Sequence, residues 1–181
     1  MFKKFASFIL VLTTVLFTNP AQADSHAQKL MNLSMNEIMF AQSMIPHHKQ
    51  AIDISKIALK KSTNVEIRNL ASSIIKAQNT EMKQMYYWLK VNNANMDMGH
   101  DMGMSGMLTE TEIAKLAKLS GKNFDKSFLD LMIKHHQGAL EMIQLLNASK
   151  NIEVKKMASE MKSVQSKEIS FMKKLKANNS K

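Results

Sequence analysis

Apolar residues recur every three or four positions along four long stretches of the chain, with polar breakers between them, which is the spacing of one helix face. The stretches run roughly from residue 29 to 61, 64 to 91, 123 to 148 and 151 to 177. Thr63 and Glu66 have capping-box spacing at the start of the second, which supplies side-chain acceptors for its first N–H groups. Pro46 falls inside the first stretch; it lacks a backbone donor and predicts a kink or restart immediately before His47. A shorter helix over 110 to 119, capped by Thr109 and stopped near Gly121, fits between the second and third. With 5 Gly and 2 Pro in 181 residues, little material exists for the turns of an all-β sandwich. The pattern predicts an all-α protein.

The chain also repeats itself. Phe40, Met44, Ile45, His47, His48 and Ala51 recur 88 residues later as Phe128, Met132, Ile133, His135, His136 and Ala139. With one residue dropped, Asn64, Glu66, Ala71, Ser72, Gln78, Glu81 and Met85 recur as Asn151, Glu153, Ala158, Ser159, Gln165, Glu168 and Met172. These identities mark a tandem duplication with units over about 40 to 90 and 128 to 177. Each unit is an amphipathic helical hairpin, and two such hairpins bury their stripes best against each other, so the expected architecture is a four-helix bundle.

Lys3 and Lys4 precede an apolar run from Phe5 to Phe17, followed by Ala21-Gln22-Ala23. This is the layout of a cleaved signal peptide, residues 1–23, ahead of a single domain over 24–181. The run falls short of the roughly 20 residues that span a bilayer, so no stable membrane anchor is expected after cleavage. Export places the protein in the periplasm or outside the cell. The formal charge of +10, from 25 Lys and Arg against 15 Asp and Glu, is spread along helix faces instead of forming basic arms. Solvated faces account for it better than nucleic acid, and weak attraction to anionic membranes is compatible with it. The absence of Cys excludes disulfides, thiolate zinc sites, cysteine catalysis and blue-copper centres.

Candidate chemistry lies first in two His-His pairs at equivalent places in the units. His47 shares a helical stripe with Phe40, Met44, Ala51 and Ile54, and His135 shares one with Phe128, Met132, Ala139, Met142 and Leu146. Both therefore face the bundle interior. His48 and His136 lie about 100° round the helix and flank apolar surface. Met44 with His47, and Met132 with His135, place a thioether and an imidazole on one face. Gln78, Glu81, Met82 and Met85, and in the second unit Gln165, Glu168 and Met172, could face them as polar partners or further ligands. Burying four imidazoles is costly unless each finds a partner, which favours a metal or other function over packing alone. Di-iron chemistry of the bundle type needs Glu-x-x-His on two helices, and the chain has none; HExxH, Walker and GxSxG motifs are also missing.

Between the units lies Asn95-Met96-Asp97-Met98-Gly99-His100-Asp101-Met102-Gly103-Met104-Ser105-Gly106-Met107. Of the 17 Met in the chain, Met142, Met157 and Met161 fit core filling, and Met31, Met35 and Met39 fit it less well. Core filling does not explain the loop: Gly breaks helices, the segment is polar apart from sulfur, and a loop has no interior to fill. A flexible backbone exposing several thioethers can wrap a soft, low-coordinate cation such as Cu(I) or Ag(I). Thioethers carry no proton at neutral pH, and in an oxidising compartment they outlast thiols as soft ligands. The expected loop ligands are Met96, Met98, His100, Met102, Met104 and Met107. A second site in the bundle would use His47, His48, His135 and His136, assisted by Met44, Met132, Met82 or Met85. The imidazole site is expected to weaken below about pH 6 as His protonates, while the thioether loop persists.

The segments Met44-Ile45-Pro46-His47-His48-Lys49-Gln50-Ala51-Ile52 and Phe128-Leu129-Asp130-Leu131-Met132-Ile133-Lys134-His135-His136-Gln137-Gly138-Ala139 resemble the two hallmark segments of domain-of-unknown-function family 305. The stretches from Gln78 to Trp88 and from Gln165 to Leu175 are similar to its partner helices. The resemblance implies a ferritin-like four-helix bundle and copper handling, since a periplasmic member binds copper and supports copper resistance. Trp88 becomes Leu175 in the second unit, so that ring reads as packing and not as a ligand. The expected function is an exported copper-binding protein that sequesters Cu(I), or passes it to a copper exporter or another periplasmic carrier, with Ag(I) and Cu(II) as further cargo. A metal-dependent oxidase using the His pairs, and a structural bundle without metal, are the alternatives.

Overall fold

The computed structural model describes residues 30–96 and 104–179. The expected leader over 1–23 and the candidate ligands Met98, His100 and Met102 lie outside the described residues. The chain forms α1 (Met35–Lys61), α2 (Val65–Val91), a short α3 (Glu110–Lys118), α4 (Gly121–Met142) running into a 3₁₀ turn (Ile143–Leu146), and α5 (Ile152–Asn179).

Helix starts follow their caps. Ser34 opens α1 with a complete capping box: its hydroxyl accepts from Glu37 N, and the Glu37 carboxylate accepts from Ser34 N at 2.7 Å. The single helix expected from residue 29 is thus broken, because Asn32 takes a left-handed conformation (φ 65°) and turns the chain. Asn64, not Thr63, caps α2, its amide oxygen accepting from Glu66 N and Ile67 N at 2.9 and 3.4 Å. Asn151 repeats the device at α5, on Glu153 N and Val154 N. Thr109 caps α3 as expected, and with Glu112 it forms a full capping box. Pro46 does not restart α1, which continues to Lys61. The third expected helix stops earlier than residue 148, tightening at Ile143.

Helix α1 packs on α2, α4 on α5, and the two hairpins meet mainly along α1 and α4. Their buried stripes form two apolar clusters. The first joins Phe40 and Met44 of α1, Met85, Trp88 and Leu89 of α2, Met142 of α4, and Val154, Met157 and Met161 of α5. The second joins Ala51 and Ile54, Ile67 and Ile74, Phe124, Phe128 and Met132, and Met172 and Leu175 of the same four helices in order. Trp88 is packing, and so are Met142, Met157 and Met161, as expected. The membership also gives the helix directions. α1 and α5 start at the first cluster, while α2 and α4 start at the second, so the chain from 92 to 120 must return along the length of the bundle. This is a long crossover, as in ferritin-like bundles. On each helix a polar interval separates the two clusters, and these intervals lie at the same height.

Candidate metal centre

The polar waist between the clusters is built from His47 and His48 of α1, Gln78 and Glu81 of α2, His135 and His136 of α4, and Gln165 and Glu168 of α5. All four imidazoles are fully buried. Adjacent residues on a helix diverge by about 100°, and each His-His pair serves two interfaces at once. His47 and His135 point into the contact between the hairpins, where their rings meet with centroids 3.8 Å apart, tilted by 37°. His48 and His136 point within their own hairpins. There His48 Nε2–H donates to the Glu81 carboxylate and His136 Nε2–H to that of Glu168, each at 2.7 Å.

These two carboxylate contacts fix the proton on Nε2 and leave Nδ1 of His48 and His136 with no protein partner. His47 is fixed differently: its Nε2–H donates to the Ser105 carbonyl at 3.1 Å, again leaving Nδ1 alone. Neither nitrogen of His135 has a hydrogen-bond partner, so five buried ring nitrogens lack one. The side-chain oxygens of Gln78 and Gln165 and the amide nitrogen of Gln165 share that state. Buried polar atoms are seldom left so, and a cluster of them marks a place for ordered water or an ion.

Burial pushes the His47 imidazole down to about 3, helped by the neighbouring His48 and opposed by the Ser105 carbonyl. His135 is held well below its ordinary range, first by burial and then by the neighbouring imidazoles of His47, His136 and His48. Both rings are neutral at physiological pH, with lone pairs available and no proton to displace. The expected weakening below about pH 6 therefore does not apply to these two rings by direct protonation. Their desolvation moves that event far lower.

The donor set suits a soft or borderline ion. Neutral imidazole with carboxylate behind it is the usual arrangement of a metal-ligating His, and imidazole with thioether fits copper. Met44 and Met132, one turn before His47 and His135, are fully buried at the borders of the waist. Met85 packs with Trp88 and Leu89 in the first cluster, and half-buried Met82 lies against it. Among the described residues no three His, Asp or Glu side chains converge as a ready-made ligand set. The thioethers of Met44 and Met132 and the side-chain oxygens of Gln78 and Gln165 are the further donors at hand.

The crossover reaches this waist, which the sequence did not reveal. Beyond the Ser105 contact, Gln50 clasps Leu108 twice, donating to its carbonyl at 2.9 Å and accepting from its N–H at 2.8 Å. Gly106, with φ 78°, lies directly on Gly138 of α4: a Cβ on Gly138 would stand 2.1 Å from the Ser105 carbonyl oxygen. The Ser105 hydroxyl donates to Glu141. The expectation that the loop has no interior to fill is accordingly corrected at its C-terminal end. Met104 packs against the first apolar cluster and Met107 is half-buried, because the backbone between them is drawn onto α1 and α4. Met96 is exposed, as expected. The signal for the contact was a glycine inside a helix, which costs about 1 kcal/mol against Ala and marks close approach.

The helical bundle has solved counterparts. A DUF305 protein from Streptomyces coelicolor, described as a candidate secreted protein, is 30% identical with a TM-score of 0.76, covering 80% of this chain and 94% of its own. A DUF305 fragment from Deinococcus radiodurans is 32% identical at 0.74, covering 80% and 97%. CopM in its Cu(II)-bound form is 30% identical at 0.68, covering 78% and 96%, and CopM has also been solved with Cu(I) and with Ag. No functionally curated protein matches the chain. Among the described residues no helix is long and apolar enough to cross a membrane. The family described as domain of unknown function DUF305 matches residues 37–176, and the chain belongs to that family.

Proposed function

We propose that this is an exported, periplasmic copper-binding protein that sequesters Cu(I) or hands it on, with Ag(I) and Cu(II) as further cargo. The observation that carries the reading is the waist: four buried imidazoles, five of whose ring nitrogens have no protein partner, set between two apolar clusters. The similarity to a protein crystallised with copper and silver supports it. His47, His48, His135 and His136 would supply the imidazole ligands, no three of them converging on one ion as the rings stand, with Met44 and Met132 offering thioethers beside them and Glu81 and Glu168 orienting two of the rings. The crossover methionines would offer a second, thioether-only site. A partner in delivery would be a copper exporter or another periplasmic carrier. Binding without turnover belongs to the same reading, because the carboxylates of Glu81 and Glu168 are committed to imidazoles.

A Cu(I) competition titration against a chromophoric chelator tests this on the parent, on a His47→Phe/His135→Phe variant, and on a variant with Leu at Met96, Met98, Met102, Met104 and Met107. Loss of one class of sites in each variant is expected. Unchanged stoichiometry and affinity in the Leu variant would remove the crossover, and in the Phe variant the waist. Metal analysis of protein from copper-supplemented cells, and growth of a deletion strain on copper and silver, extend the test to the cell.

A further inference from the structure

Three methionines stand among the exposed large apolar side chains of the described residues: Met31 at 50%, Met35 at 69% and Met96 at 48% of full exposure. Exposure at this level removes core filling as their explanation. All three lie at the end of the bundle where α1 starts and α2 finishes, and polar contacts hold their segments together. The Asn92 side chain accepts from Leu33 N at 2.9 Å and donates to Leu30 O at 2.8 Å, tying the turn that carries Met31 to the end of α2. The Gln42 side chain donates to Asn95 O at 2.9 Å, tying the residue before Met96 to α1. Met35, Met39 and Gln42 occupy one stripe of α1, since positions i, i+4 and i+7 share a face. The backbone at Asn95 is thus held against α1 at Gln42, about one turn beyond half-buried Met39 and two turns beyond Met35 on the same stripe.

We infer that Met31, Met35, Met39 and Met96 form an external thioether site for a soft monovalent cation, Cu(I) or Ag(I), at the root of the crossover. The inference rests on the soft-metal reading above and adds a site to it. Neighbouring methionines on one helix face have Cβ atoms about 5–6 Å apart, and three rotatable bonds let each sulfur swing toward a common ion. None of the four ligands titrates, so the site takes its ion without releasing a proton. It differs from the waist in lying in water, which suits capture and exchange more than retention.

The test uses the protein labelled with ¹³C at the methionine methyl groups and titrated with Ag(I), each methyl being followed by NMR. The methyls of Met31, Met35, Met39 and Met96 are expected to shift together within the first few equivalents, in the parent and in a variant with Met98, Met102, Met104 and Met107 as Leu. Met35→Leu with Met39→Leu should abolish the shift of Met96. The side chain of Met35 is exposed and Met-to-Leu exchange conserves volume, so the fold should survive. If Ag(I) moves only Met98 to Met107, or moves these four only in large excess, the inference fails and the soft-metal reading stands. An unchanged Met96 response in the Met35→Leu/Met39→Leu protein would overturn the shared site. If no methionine methyl responds, the thioether reading falls with it.

Discussion

The two duplicated hairpins agree at the waist and part company where the crossover touches it. His48 with Glu81 and His136 with Glu168 are the same contact made twice, at 2.7 Å in both. His47 and His135 occupy equivalent positions, yet only His47 has a partner for Nε2, the carbonyl of Ser105. Gln50 and Gly138 are equivalent in the alignment of the units, and both handle the crossover: Gln50 grips it with two hydrogen bonds, and Gly138 gives it room. Duplication supplies a symmetric chamber. A single connecting segment makes its two halves unequal, leaving one interfacial imidazole restrained and the other with both nitrogens uncommitted.

That inequality can be probed from several sides. The largest effect expected is acid destabilisation of the metal-free protein. An unfolded His takes up a proton near 6.5, while His47 in the fold resists until about 3. Between those values the unfolded state binds more protons, so stability falls as pH drops through 6.5 and levels off below about 3. By pH 4.5 His47 alone accounts for roughly 2–3 kcal/mol, with His135 acting in the same direction. Denaturant melts at pH 7.5 and 4.5 measure it, and equal stability at the two would contradict the burial of these rings.

Gly138→Ala comes next. Its Cβ would meet backbone atoms of Ser105 and Gly106, so the crossover must lift or α4 must move. The expected cost is about 2 kcal/mol, read as a lower Tm with faster amide exchange at Leu108. A stabilised protein would show that the crossover does not rest there. Glu81→Ala and Glu168→Ala each strand a buried imidazole N–H, and each should cost ~1–2 kcal/mol. Their near-equality, within about 0.5 kcal/mol, is the point to check by chemical denaturation, since the two contacts are duplicates. Smallest is Gln50→Ala, at about 1 kcal/mol for two contacts with a partly buried backbone. Its double-mutant cycle with Gly138→Ala should be strongly non-additive, because both act on one segment.

Much of this architecture was legible in the sequence. Helical periodicity located the five helices of the described residues, and the repeat showed that the histidine pairs were equivalent. The stripe argument turned His47 and His135 inward, and Glu81 and Glu168 stood among the facing candidates. Helix edges were less legible, since Asn32, Asn64 and Ile143 set them through local turns and caps that compete with periodicity. What could not be read were contacts between residues far apart in the chain: Ser105 with His47, Gln50 with Leu108, and Gly106 with Gly138. The crossover methionines looked uniform by composition. In three dimensions Met104 joins the core while Met96 stays in water.

The sequence by itself determined the helices, their duplication, and the chemistry available, because side-chain period and residue type act within a few residues of one another. The tertiary structure alone decided which imidazole nitrogens are held and which are left over. That depends on burial and on one backbone carbonyl brought from 58 residues away, and neither desolvation nor a long-range contact leaves a local mark on the chain.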